Sequence, residues 1–208
     1  MNEKGSSVNP IKRLAPTFCF AAAAIIITQQ LFNMWLGLER GSESSASPLH
    51  SVVYLLAFVG FGFLLLALGG LYEHQSRSLG RLGVFGFLIA FLGTLLAAGD
   101  WWFESFAVPQ IAQLAPQIMK DAPSGSLLAG GVATFLTFGI GWVVFAVATL
   151  RAGVFPRHIS ILLIVGGALG VNGGTPLFQI PLAIAIGWMG YLMLRTARGS
   201  YAGAAGVA

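Results

Sequence analysis

Residues 49–72 read LHSVVYLLAFVGFGFLLLALGGLY, and residues 81–103 read RLGVFGFLIAFLGTLLAAGDWWF. The run FLLLAL inside the first is apolar on every side, whereas a barrel strand alternates apolar and polar over about 10 residues. Where no water reaches the backbone, a helix satisfies every N–H and C=O within itself. A hydrocarbon core about 30 Å thick takes about 20 helical residues, and each stretch supplies them. Between them lies only a short polar turn, EHQSRSLG, with Arg77 in it. The pair predicts two membrane-spanning helices.

Four further stretches read the same way: Leu14–Leu38, Ser126–Leu150, Phe155–Gly174 and Leu177–Leu194. The last two are short and only Asn172–Pro176 separates them, so a tight hairpin of spans or a re-entrant pair both fit. The expectation is an all-α polytopic bundle of six transmembrane helices. A segment 1–13 precedes the membrane domain, 14–195, and a flexible tail of small residues, 196–208, follows it. The 25-residue run from Leu14 is longer than the roughly 7–15 residues of a signal-peptide core, so it reads as a retained helix.

Composition agrees. Of the 208 residues, 56% are hydrophobic and 9% charged, with a mean hydropathy of +0.82. A soluble domain carries about 25% charged residues, and disorder needs low hydrophobicity. The net charge of +4 comes from short loops, with no basic face interleaved with aromatics, so nucleic acid is not an expected partner. Cys19 stands alone and can form neither an internal disulfide nor a Cys-x-x-Cys pair. No glycine-rich nucleotide motif occurs in a strand–turn–helix context, and no cofactor is expected.

The charges are sorted. Lys4, Lys12, Arg13, Arg77, Arg81, Arg151, Arg157, Arg195 and Arg198 fall on one side of a six-span layout, and only Arg40 and Lys120 on the other. The positive-inside bias then places both termini in the cytoplasm. Glu39, Glu43, Asp100, Glu104 and Asp121 fall on the outer side. The inner parts of the spans hold no Asp, Glu, Lys or Arg, which argues against a proton pump or a catalytic centre in mid-bilayer.

Polar residues gather toward the outer ends: Gln29, Gln30 and Asn33 in the first span, His50 opening the second, Asp100 and Glu104 closing the third, then Asn172, Thr175 and Gln179. At 1.5 Å per residue Asp100 is about 28 Å from Arg81. Asp100 and Glu104 share a helix face, where two carboxylates repel without compensation. His50, water or a cation could supply it, and the set could also serve as acid/base or metal ligands. Trp101 and Trp102 lie between the carboxylates and could form an apolar wall. The expected ligand site is therefore Gln29, Gln30, Asn33, His50, Asp100, Trp101, Trp102 and Glu104. No residue is assigned as catalytic and no metal is expected.

Two packing signals stand out. Gly166, Gly170 and Gly174, four apart, form a small-residue row suited to close helix contact within the bundle or in a homo-oligomer. In Pro109–Pro123, Ile111, Leu114 and Ile118 share one face and glutamines the others, which predicts a short amphipathic helix on the outer surface, broken near Pro116. The stretches from Phe61 to Leu82 and from Phe138 to Arg157 also echo one another in layout.

The RLGVFGF, GDWWFESFAVP and FPRHISILL stretches resemble those of uncharacterised small multi-pass proteins of bacterial inner membranes. The resemblance implies a compartment and a fold but no residue roles. Three functions stay open. The first is a non-catalytic membrane protein binding a small or lipidic ligand, or a partner membrane protein, at an outward-facing pocket. The second is a small-solute transporter or channel. The third is an outer-leaflet enzyme using Asp100, Glu104 and His50.

Overall fold

The computed structural model describes residues 10–37, 43–119, 124–172 and 179–205. These residues form six helices and one 3-10 turn, with no strand among them. The helices are α1 (Pro10–Leu36), α2 (Pro48–Phe106), α3 (Val108–Leu114), α4 (Gly125–Ala152), α5 (Arg157–Leu169) and α6 (Gln179–Ala205); the 3-10 turn is Glu43–Ala46. Four helical stretches are long and apolar enough to cross a membrane: Arg13–Leu36, Pro48–Leu114, Gly125–Ala152 and Gln179–Ala197.

Helix count and expected span count differ at two places. The second and third apolar stretches belong to one element, α2, which reverses at Gly80. There the backbone takes φ 60°, ψ −165°, a region open essentially to glycine alone. The arms before and after Gly80 lie side by side, since Tyr54 stacks on Trp101 and Tyr72 on Phe87. The fifth stretch yields only 13 helical residues in α5, about 20 Å at 1.5 Å per residue, shorter than a bilayer core. Residues 173–178, where the sequence places the last turn, lie outside the described residues, as does Gly174. At the C-terminus α6 runs on to Ala205, into the segment that composition assigns to a flexible tail.

Small residues fix the order of the helices, because each marks where two backbones approach. Gly60 meets Ile26 and Gly70 meets Ala15, so α1 is antiparallel to the first arm of α2. Gly86 meets the backbone of Phe145 and Gly93 that of Phe138, so the second arm is antiparallel to α4. Gly139 meets Val171 and Gly167 meets Val143, which pairs α4 with α5. Gly166 faces the backbone of Leu182 on α6, and α6 returns to α1 through Gly187 on Ala23 and Gly190 on Cys19. The helices thus close into a ring with alternating directions. The start of α1 and the end of α6 lie at one end, together with Arg13, Arg77, Arg81, Arg151, Arg157 and Arg195. We call this the basic end and its opposite the far end.

The ring is filled, not open. Tyr54, Trp101, Phe61, Phe138, Trp142 and Phe145 follow one another ring to ring, with centroids 5.6–6.3 Å apart. Trp142 is fully buried; its Nε1–H donates to Thr94 Oγ1 at 3.0 Å, and that hydroxyl donates to the Ala90 carbonyl at 2.6 Å. The outside is apolar: Leu31, Phe85, Leu88 and Trp188 each expose about half of their surface. A soluble monomer does not expose apolar surface on this scale.

Of the expected amphipathic segment only 109–114 is helical, within α3, which packs on α2 and on the 3-10 turn; Leu114 and Ile118 of its apolar face stay exposed. It stops at Leu114 because Ala115 precedes Pro116, and a residue before proline is pushed out of helical geometry; Ala115 sits at φ −142°, ψ 63°.

Candidate functional site

The far end of α2 is set by a conventional helix start. Ser47 is extended, its hydroxyl accepts from the Leu49 N–H at 3.2 Å, and Pro48 takes the first helical position. This puts His50 in the first turn, fully buried, facing the second arm of the same helix. Its Nε2 lies 3.4 Å from Oε2 of Glu104. That is ion-pair distance, but the angles do not make it a hydrogen bond, and neither ring nitrogen of His50 has a hydrogen-bond partner. Next to the pair, the Ser105 hydroxyl donates to the Ser51 carbonyl at 2.8 Å and ties the arms together.

One turn below, Tyr54 places its ring 4.2 Å from the His50 ring. Tyr54 stacks on Trp101 at 5.6 Å, and Trp101 meets Phe135 edge-on at 6.3 Å. Trp101 is thus buried in the aromatic cluster beside Tyr54. Trp102 is not in that cluster: half of its surface is exposed and its ring lies against Phe106. Asp100 and Glu104 part in the same way. Glu104 is buried beside His50, whereas Asp100 is only half-buried. Adjacent tryptophans point about 100° apart on a helix, so only one can face the bundle.

Gln29 and Gln30 are buried on α1 and Asn33 is half-buried one turn further on. Gln29 and Asn33 prolong the face on which Ala22 and Ile26 pack. From Gly60 on Ile26, the antiparallel register carries Asn33 to the level of Val53 and Tyr54. The register of Cys19 with Gly190 likewise carries Gln30 to the level of Gln179. Gln179, at the start of α6, is 1% exposed and was not among the expected site residues. Tyr54 is a second addition; its signal is its position four residues after His50. Oε1 of Gln29, Oδ1 of Asn33, Oε1 of Gln179 and the Ser45 hydroxyl are all buried without a hydrogen-bond partner.

Among the described residues, no group of three or more His, Cys, Asp or Glu side chains is placed to hold a metal ion. Of the glycine row, Gly166 is occupied by the Leu182 backbone and Gly170 by the Phe138 ring, both of this same chain. The closest backbone approach surrounds Gly86, Gly93 and Gly141 instead. Its signal was the small-residue spacing Gly86, Ala90, Gly93, Ala97. No protein-family model, curated protein or solved structure matches the chain.

Proposed function

We propose that the protein is a six-span membrane protein of a bacterial inner membrane, with both termini cytoplasmic, whose outer end binds a small or lipidic ligand or a partner membrane protein without transforming it. In this reading the arms of α2 are separate spans, α5 and α6 form the last hairpin, and the basic end faces the cytoplasm. The reversal at Gly80 and the alternating directions around the ring support an even number of passes. The positive-inside bias supports the orientation.

One observation carries the binding reading. The far end holds the buried His50–Glu104 contact beside Trp101 and, at similar levels on α1 and α6, the buried amide oxygens of Gln29, Asn33 and Gln179, which have no hydrogen-bond partner. A buried polar oxygen left unsatisfied costs about 1–3 kcal/mol, so a site rich in them favours a molecule that can satisfy them. The aromatic filling from Tyr54 to Phe145 weighs against a conducting path through the centre. The half-exposed position of Asp100 weighs against a three-residue catalytic set.

The test is co-purification. Protein extracted in mild detergent should carry bound lipid or small molecules detectable by native mass spectrometry, and the double variant H50L/E104L should lose them. Identical adduct spectra for a folded double variant would refute the reading. Topology is tested separately by reporter fusions after Ser44 and after Ser200, which should report opposite sides; same-side signals would refute six spans.

A further inference from the structure

The last two helices stop short of the others toward the far end. Val171 lies against Gly139 and Gly167 against Val143, so the end of α5 is level with Phe138 and Gly139 of α4. Gly166 on Leu182 sets the start of α6 at the level of Leu169. Gly190 on Cys19 and Gly187 on Ala23 put that same start level with Gln30 of α1. Beyond this level α4 continues for 13 residues, to Gly125, and α1 for six, to Leu36. From Gly170 to Asn172 the chain has left the helix.

The basic residues set the depth of this level. Arg157 opens α5, and Arg151 lies in the last turn of α4. From Arg157 to Gly170, and from Arg151 to Phe138, the helices rise about 20 Å at 1.5 Å per residue, and from Arg195 to Gln179 about 24 Å. With these arginines at one boundary of a core about 30 Å thick, the backbone at Gly170–Asn172 lies about 6–10 Å inside the other boundary, and tilt would place it deeper. Backbone that has left a helix is tolerated at such depth only where it is buried in protein or lines water. Val171 and Asn172 are exposed, so protein does not cover them. Gln30 and Gln179 stand at the same level, and Oε1 of Gln179 is buried without a hydrogen-bond partner. Further out on α4, Val132, Ala133 and Leu136 are exposed, and Gly131 has open space beside it.

Resting on the membrane reading above, we propose that the end of the α5–α6 hairpin is the floor of a water-filled notch, open to the far side and flanked by the first turns of α4. This sharpens one part of that reading: α5 and α6 cross most of the core, not all of it. The hairpin enters from the basic side and turns back before the far boundary, which keeps both termini on one side. The notch is a recess and not a conduit, because the Phe138 ring closes on Gly170 beneath it.

The test is thiol accessibility in the full chain, in right-side-out and inverted membrane vesicles and a Cys19→Ala background. The probe is trimethylammonium-ethyl methanethiosulfonate, which does not cross membranes. Asn172→Cys reports on the notch. Leu92→Cys is the control at equal depth, because Leu92 is half-exposed on the second arm of α2 and level with Gly139. A thiol reacts as its thiolate, which forms in water and not in hydrocarbon, so Asn172→Cys should react about tenfold faster than Leu92→Cys or more. It should do so only from the face on which a fusion after Ser44 reports. After denaturation in dodecyl sulfate both variants should react fully. Protection of both in vesicles would overturn the notch and leave the membrane reading intact. Reaction of Asn172→Cys from the basic face would also overturn the notch. Leu92→Cys reacting as fast as Asn172→Cys would overturn the membrane placement itself. If Asn172→Cys fails to fold, Leu169→Cys, exposed at the end of α5, takes its place in the comparison.

Discussion

Nε2 of His50 and Oε2 of Glu104 stand 3.4 Å apart across the two arms of one bent helix, and both side chains are withdrawn from solvent. Such a contact is costly to break on one side, because the remaining polar group loses a partner inside the bundle. Single variants H50L and E104L should each lower the unfolding midpoint in detergent. The double variant H50L/E104L should lose less than their sum, by a coupling of about 1–3 kcal/mol. Additive losses would show that the two side chains do not interact.

Gly80 makes the reversal that lets those arms meet. Its ψ of −165° separates it from Gly153, which caps α4 at φ 66°, ψ 13°. Asparagine tolerates the second conformation but not the first. Gly153→Asn should therefore leave folded yield nearly unchanged, whereas Gly80→Asn should destabilise by about 1–3 kcal/mol. Equal yields and midpoints for the two variants would count against this reading of the turn.

The contact of the second arm of α2 with α4 depends on missing side chains. A Cβ on Gly86 would sit 2.6 Å from the Phe145 nitrogen, whereas Gly62 has nothing within 4 Å. Gly86→Val should cost about 1–3 kcal/mol through overpacking. Gly62→Ala should be neutral or gain a few tenths of a kcal/mol from helix propensity. Thermal unfolding of both variants in one detergent makes the comparison.

Trp142 is anchored through Thr94. In Thr94→Val the indole N–H keeps its place but loses its acceptor, at a cost of about 1–2 kcal/mol. Adding Trp142→Phe to Thr94→Val should recover part of that loss, since no donor is then left unmet. A double variant less stable than the sum of the singles would contradict the pairing.

Cys19 reports on the seam between α1 and α6. It is fully buried against Gly190, so a membrane-permeant maleimide should label it slowly in native membranes and rapidly after denaturation in dodecyl sulfate. Enlarging Gly190 to Leu should open the seam and raise native labelling. Rapid labelling of the unmodified protein would place Cys19 outside the seam.

The sequence alone determined the class of structure. Unbroken apolar runs such as FLLLAL demand helices, and too few charges remain to coat a soluble globule. It also sorted basic from acidic ends and pointed to His50, Glu104, Trp101 and the α1 amides, because polar residues at the end of an apolar helix stand out. Which of two neighbouring candidates is buried was beyond it. Trp101 and Glu104 turn into the bundle while Trp102 is half-exposed and Asp100 half-buried, and only the rotation of the packed helix sets that phase. Nor could it show that Gln179 reaches the level of Gln30, since that follows from the register of α6 on α1, fixed by Gly187 and Gly190. The hydrophobic pattern is a property of each segment and is written locally. The pairing of segments depends on which small residues let which backbones approach, and that was decided only when all the helices packed together.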